Sequence, residues 1–449
     1  MISLLKRLFR RGGDSHSTDD HNPIYTRQEH NISRADISES ALKVLYRLKS
    51  AGFEGYLVGG SVRDLLLGRE PKDFDVTTDA TPEQVRKLFR NSRIIGRRFK
   101  IVHVRFGREI IEVATFRGSN DDARTSEEGM VLSDNVYGTL EEDAWRRDFT
   151  VNALYYNIRD FSVVDYTGGM ADLNKGMLSL IGEPEQRFRE DPVRMLRAVR
   201  FAAKLGFRIA PDVEQAIYRL GYLLQEVPAA RLFDEMLKLF MSGHAVASFE
   251  GLRHYRLFEH MFPATEVCLA HEEAGFPRTF ITRAMANTDK RLAEDKPVTP
   301  AFLLAALLWE PLRQLAEENI ADGEPAYQAF HAAADVVLSQ QVKHISIPRR
   351  FSVMMREMWI MQTRLPRRQG KRAFALLSHD RFRAAYDFLL LRAESGEVNA
   401  ELGEWWTRFQ QVDESEQRVM VRALESDGSG HSKKRRRRRS SPRNRRADG

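Results

Sequence analysis

With 449 residues, 42% of them apolar and 30% charged, the chain is long enough for two to four domains and ordinary in composition for a globular protein. One cysteine, Cys268, excludes intrachain disulfides and a cysteine-built metal site, and the longest apolar run, residues 302–309, is too short to cross a bilayer. A cytoplasmic protein is expected. The net charge of +7 is uneven: ten of the fourteen residues in 433–446 are Lys or Arg, and without them the chain carries a net −3. Such a run is expected to stay disordered and to seek a polyanion.

In chain order, residues 1–11 alternate apolar and basic side chains but lack the apolar core of a signal peptide, so they read as a solvated terminus rather than a membrane contact. Residues 12–26 read as a polar linker. From Ser38 a helix carrying Leu42, Leu45 and Leu48 leads to Gly52. Tyr56, Leu57 and Val58 suit a buried strand, Gly59 and Gly60 a turn, and residues 61–67 a short helix ending at Gly68. Thr81-Pro82-Glu83-Gln84 is a capping box with Pro at the first helical position. Residues 94–95, 101–106 and 109–116 alternate as strands between Gly96 and Gly107. Residues 118–129 read as a mobile loop, 146–156 as a helix, 161–165 as a strand and Gly168-Gly169 as a turn.

Beyond Arg187 helical patterns run to about Ala423. The expected fold is α+β: a head with a small mixed sheet and helices on one side, then an all-helical neck and body. The boundaries read as a 1–31 extension, a 32–186 head, a 187–265 neck, a 266–425 body and a 426–449 Arg-rich tail.

The chemistry concentrates in residues 56–78. Backbone N–H groups at the Gly59-Gly60-Ser61 corner and the positive end of the following helix can cradle phosphate, with Arg63 adding charge. In Asp73-Phe74-Asp75-Val76, a strand period of two places both carboxylates on one face and Phe74 and Val76 on the other. Two close carboxylates repel unless a proton or cation lies between them, and Mg²⁺ favours carboxylate together with phosphate oxygens. A lone Asp-x-Asp is more often a solvated strand end; behind a phosphate cradle it points to metal-assisted phosphoryl chemistry.

The stretch Leu57-Val-Gly-Gly-Ser-Val-Arg-Asp-Leu-Leu-Leu-Gly68 with Asp73-Phe-Asp75 resembles the head motif of class II nucleotidyltransferases, the superfamily of bacterial poly(A) polymerases and CCA-adding enzymes. Arg146-Arg-Asp-Phe-Thr-Val-Asn152 and residues 190–201, Glu-Asp-Pro-Val-Arg-Met-Leu-Arg-Ala-Val-Arg-Phe, resemble two further family motifs in the expected order. The resemblance implies transfer of a nucleotide to an RNA 3′ end with two Mg²⁺ ions, or Mn²⁺ in their place, held by Asp73 and Asp75. Two residues compete as a third acid. Glu112 alternates with Ile111 and Val113 and faces away from a core that holds them; Asp148, which the family places beside the nucleotide sugar, is preferred. Arg147 and Asn152 join the nucleotide contacts. Asp191, Arg194 and Arg197 are the implied base readers, since Arg donates and Asp accepts along a base edge.

Residues 94–104 resemble the segment that separates poly(A) polymerases from CCA-adding relatives, so ATP is the expected substrate. Arg97, Arg98 and Lys100 there would meet a triphosphate or primer backbone. Arg367, Arg368, Lys371 and Arg372, between Pro366 and Gly370 and just beyond, form a basic junction that could track RNA, as would Lys433, Lys434, Arg435, Arg436, Arg437, Arg438 and Arg439. Trp405, Trp406 and Phe409 read as core rather than as a base platform. The expected partners are RNA 3′ ends, ATP and RNA-turnover proteins; nothing in the pattern demands a dimer, so a monomer is expected. The rivals are a CCA-adding enzyme and a non-catalytic RNA-binding protein on the same fold.

Overall fold

The computed structural model describes residues 23–96, 100–118, 136–271 and 277–424, with the backbone of 124–125 and 131–133. The N-terminal 1–22, Arg97, Arg98 and the basic run from Lys433 lie outside the described residues. The chain divides into two compact units between Gln186 and Arg187, with 207–213 belonging to the first.

The first unit is built on an eight-stranded mixed sheet. In chain order its elements are β1 (Ile24–Tyr25), α1 (Glu39–Ser50), β2 (Gly55–Val58), α2 (Gly60–Leu66), β3 (Asp75–Thr78), α3 (Pro82–Leu88) and β4 (Ser92–Ile95). Then follow β5 (Ile101–Phe106), β6 (Glu109–Thr115), α4 (Leu140–Trp145), β7 (Leu154–Asn157) and β8 (Val163–Asp165). The strand order is β1-β8-β7-β2-β3-β6-β5-β4. Every neighbouring pair is antiparallel except β3 and β6. A parallel pair needs a long crossover, and α3 with the β4–β5 hairpin supplies it.

One face of this sheet is the core. Val44, Leu45 and Leu48 of α1 and Val85 of α3 pack on Leu57, Val76, Val102, Val104, Ile111 and Val113, all nearly fully buried. Ser38 caps α1 through Ala41 N–H, and Thr81 and Gln84 form the reciprocal capping box that starts α3. Period-two alternation therefore sends Tyr56, Val58, Asp75, Glu112 and His103 to the opposite face. That face is not bare, as helices on one side would leave it: α4 lays Leu140 and Ala144 over Val58, Phe116, Tyr155 and Val164.

Other expectations also change. The linker reading of 12–26 contains β1, whose Ile24 and Tyr25 pair with Val164 and Val163. The stretch 146–156 is not a helix. A turn after α4 passes into one 3-10 turn, Thr150–Asn152, and then into β7, because the β-branched and aromatic residues of Leu154–Asn157 find a buried place between two strands. Within 118–129, Arg124–Thr125 pairs antiparallel with Val131–Ser133, a ribbon the loop reading missed; the rest of that stretch beyond Gly118 lies outside the described residues.

The second unit is helical, from Val193–Leu205 through Ala400–Gln411. Trp406 and Phe409 are fully buried in a cluster with Leu365, Leu376, Phe382 and Leu389, so the aromatic pair serves the core as expected. No helix among the described residues is long and apolar enough to cross a membrane.

Candidate active site

Strand register places the site. Val164, Tyr155, Val58, Asp75, Glu112 and His103 are successive partners across β8, β7, β2, β3, β6 and β5, forming one transverse row on the face opposite the core. The row is apolar at one end and ionisable at the other. Asp73 lies exposed just ahead of β3 rather than in it, while Phe74 and Val76 are buried as the alternation requires.

Asp75 is the most perturbed carboxylate of this face, pushed up to about 6 by burial first, then by the charge of Glu112, with Arg147 pulling it down and Asp73 adding repulsion. Burial penalises the charged form, and neighbouring carboxylates penalise it further. Such a group calls for a proton or a cation. Glu112, half-exposed, is held by His103 at 3.0 Å between Nε2 and Oε1.

Above the row, α4 ends in the cation of the site. Arg147 donates from Nε to the Tyr155 hydroxyl at 2.9 Å and from Nη2 to Asp143 at 3.0 Å, and Tyr155 donates to Asp143 at 2.9 Å. Asp143, buried on α4 one turn before Arg147, thus fixes both groups. The fixed guanidinium sits 3.7 Å from where a β-carbon on Gly59 would lie. Gly59 itself has φ 73° and ψ −132°, a conformation open essentially to glycine alone, which turns β2 into α2.

Two predicted contacts are occupied otherwise. Arg63 is not an exposed phosphate ligand: it is 2% exposed, and it donates from Nε and Nη2 to Asp64 at 2.9 and 2.7 Å and from Nη1 to Asn152 at 2.5 Å. Asn152 is correspondingly buried, tied to Arg63 and, at 3.5 Å, to Asp148. A short helix behind a glycine turn needs its first turns anchored to the sheet, and this pairing does so. The Ser61 hydroxyl donates to Val58 O at 3.1 Å, which leaves phosphate to the backbone N–H groups of the corner. Asp148 accepts Phe149 N–H at 2.9 Å within its own turn, and Glu112 is the neighbouring carboxylate that acts most strongly on Asp75.

In the second unit, Asp191 accepts Val193 N–H at 3.1 Å and Arg231 at 2.6 Å; Pro192 occupies the N-cap of Val193–Leu205. Arg194 donates to Glu190 at 2.9 Å and to Arg187 O at 2.7 Å, and Arg197 lies over the Phe201 ring. These arginines are half-buried and engaged. Among the RNA candidates, Lys100 pairs with Glu83 at 3.1 Å, and Arg368 packs on Trp405, 5.0 Å from its ring centre. Arg367, Lys371 and Arg372 are exposed between Arg349–Arg364 and Ala373. Sequence reading missed Asp143, Tyr155 and His103. Asp143 had a signal, its helical spacing to Arg147; the other two are brought in by register alone.

Comparison with known proteins identifies the family. Three family models match: the poly A polymerase head domain over residues 55–179, the "probable RNA and SrmB-binding site of polymerase A" over 206–269, and the polymerase A arginine-rich C-terminus over 322–441. Poly(A) polymerase I of Salmonella typhi is 51% identical across 94% of this chain and 93% of its own length. The chain belongs to the poly(A) polymerase I family. A CCA-adding enzyme of Bacillus subtilis is 40% identical over only 49% of the chain and 55% of its own length. Poly(A) polymerase I thus matches nearly the whole chain, and this CCA-adding relative about half of it. The fold is also that of a CCA-adding enzyme of Bacillus stearothermophilus in complex with CTP, at TM-score 0.53 and 26% identity over 84% of this chain and 82% of that one.

Proposed function

We infer that the chain is a template-independent poly(A) polymerase that transfers AMP from ATP to RNA 3′ ends and releases pyrophosphate. The observation that carries the chemistry is the position of Asp75: a half-buried, reluctant carboxylate beside Glu112, on a strand that adjoins the Gly59 corner and under the charge of Arg147.

The donor set suits a divalent ion. Substrate phosphate oxygens would complete the coordination, as Mg²⁺ prefers. Asp73 and Asp75 would hold it, with Glu112 as the third carboxylate and Asp148 the alternative. When bound, Mg²⁺ lowers the pKa of the attacking 3′-hydroxyl and neutralises charge on the triphosphate. The chain's own residues do the rest. Backbone N–H groups at Gly60 and Ser61 receive phosphate oxygens. Arg147, immobilised by Asp143 and Tyr155, offers a cation that needs no reorganisation as charge builds up on the leaving pyrophosphate. Arg194, and less directly Arg197, meets the base; Asp191 accepts from its amino group. Exposed Arg367, Lys371 and Arg372, with the basic run from Lys433, supply RNA affinity without sequence choice.

Primer extension on purified protein tests this reading, with labelled oligoadenylate or a tRNA lacking its 3′ terminus, Mg²⁺ and one nucleotide at a time. Long ladders with ATP alone on oligoadenylate are expected. Addition that stops after three nucleotides on the tRNA and needs CTP first would replace the reading with CCA addition, and no incorporation at all would leave an RNA-binding protein.

A further inference from the structure

The third carboxylate of the site is not ordered by its own strand. Glu112 stands on β6 with half of its side chain exposed, and the several torsions of a glutamate leave such a head free to wander in water. Its neighbour on β3 works against order. Asp75 is its direct partner across the parallel pair, and the like charges push the longer, more exposed side chain outward.

One group holds it. His103 is the partner of Glu112 on the other flank, across the antiparallel β5–β6 pair, and its Nε2 lies 3.0 Å from Glu112 Oε1. An ionised carboxylate can only accept, so the proton of this bond sits on Nε2 and the ring donates. Glu112 Oε2 makes no hydrogen bond among the described residues. His103, with 27% of its side chain exposed and fewer torsions than a glutamate, is the more fixed of the two, so order passes from β5 to Glu112. Strand pairing does not depend on the contact. The backbone register runs along the whole of β5, from Ile101 opposite Ala114 to Phe106 opposite Glu109. A hydrogen bond to one oxygen of a carboxylate fixes its rotamer and leaves the other oxygen for an ion, which is the common use of an outer partner at a metal site.

We propose that His103 is a positioning residue for the divalent ion: by holding Oε1 of Glu112 it keeps Oε2 available beside Asp75, so the ion meets a carboxylate already in place. The inference rests on Glu112 as the third carboxylate and adds the group that orients it. It acts on metal affinity rather than on base choice or RNA, and excess metal offsets its loss.

Electron paramagnetic resonance of free Mn²⁺ gives the dissociation constant on the full, nucleotide-free chain, and extension of oligoadenylate across a Mg²⁺ series gives the consequence. For His103→Ala, Mn²⁺ affinity should fall about tenfold, the Mg²⁺ concentration for half-maximal extension should rise by a similar factor, and kcat at saturating Mg²⁺ should stay near that of the parent. His103→Gln, whose side-chain amide can donate to the same oxygen, should keep most of the affinity. The melting temperature without metal should move little in either variant, as expected for a bond between partly exposed groups. Unchanged or tighter Mn²⁺ binding in His103→Ala, while Glu112→Gln weakens it, would overturn the positioning role. So would an equal loss in His103→Gln, or a drop in kcat that saturating Mg²⁺ does not restore. Unchanged Mn²⁺ binding in Glu112→Gln itself would instead sink the reading of Glu112 as the third carboxylate, and this inference with it.

Discussion

Asp75 is a residue the fold does not favour in its charged form. Its pKa near 6 exceeds the ordinary 3.8, so the folded state binds a proton more tightly than the unfolded state. Stability is therefore full below about pH 4 on this account and is lost as pH rises through 6. In metal-free protein at pH 8 the loss is about 2–3 kcal/mol, at 1.36 kcal/mol per pH unit. Asp75→Asn should raise the melting temperature by about 4–8 °C at pH 8 and by almost nothing at pH 4, while abolishing transfer; calorimetry at the two pH values checks it. Glu112 and Asp148 separate by their neighbours. Glu112→Gln should lower kcat by about 100-fold or more, since it removes a carboxylate next to Asp75, and Asp148→Asn should chiefly raise the KM for ATP by loosening the Asn152 turn. The reverse pattern in steady-state kinetics would make Asp148 the third acid.

At the scale of elements, the parallel β3–β6 pair decides the site, because it sets Glu112 directly beside Asp75. The β2-to-α2 corner decides what faces them. Gly59→Ala forces a β-carbon into φ 73°, so a loss of about 1–3 kcal/mol in stability is expected from denaturant unfolding. Activity should fall more than stability alone explains, because the strain falls on the corner whose backbone N–H groups would receive phosphate. The turn after α4 matters for the same reason. A helix through 146–156 would have carried Arg147 and Tyr155 on an unbroken cylinder; the break after Trp145 instead lets Tyr155 return on β7 and hold Arg147 from beneath.

For the whole molecule, charge and chemistry are divided between segments. The head carries the carboxylates, while the basic residues in 433–446 carry a charge of +10 in a chain whose total is +7. Deleting 433–446 should weaken RNA binding and flatten its salt dependence by about 0.7 in the logarithmic slope for each phosphate the segment engages. Addition of a single AMP to a saturating primer should be little changed. Anisotropy in a salt series and single-turnover extension measure the two effects separately.

Much of this was legible in the amino-acid order. Alternation of period two, glycine punctuation and capping residues are local signals, and they marked β2, α2, α3, β5 and β6, the glycine corner and the Asp-x-Asp pair, together with the helical second half. Local signals cannot encode what lies across a sheet. That Glu112 adjoins Asp75, that His103 holds Glu112, and that Asp143 and Tyr155 fix Arg147 all depend on strand register and on where α4 lands. The same holds for Arg63. Its sequence position beside a phosphate-type corner suggested an anion contact, but burial made an unpaired guanidinium too costly, and Asp64 and Asn152 claimed it. Sequence by itself determined which chemical groups were present and which elements bore them; tertiary structure decided which of those groups neutralise one another and which are left for substrate.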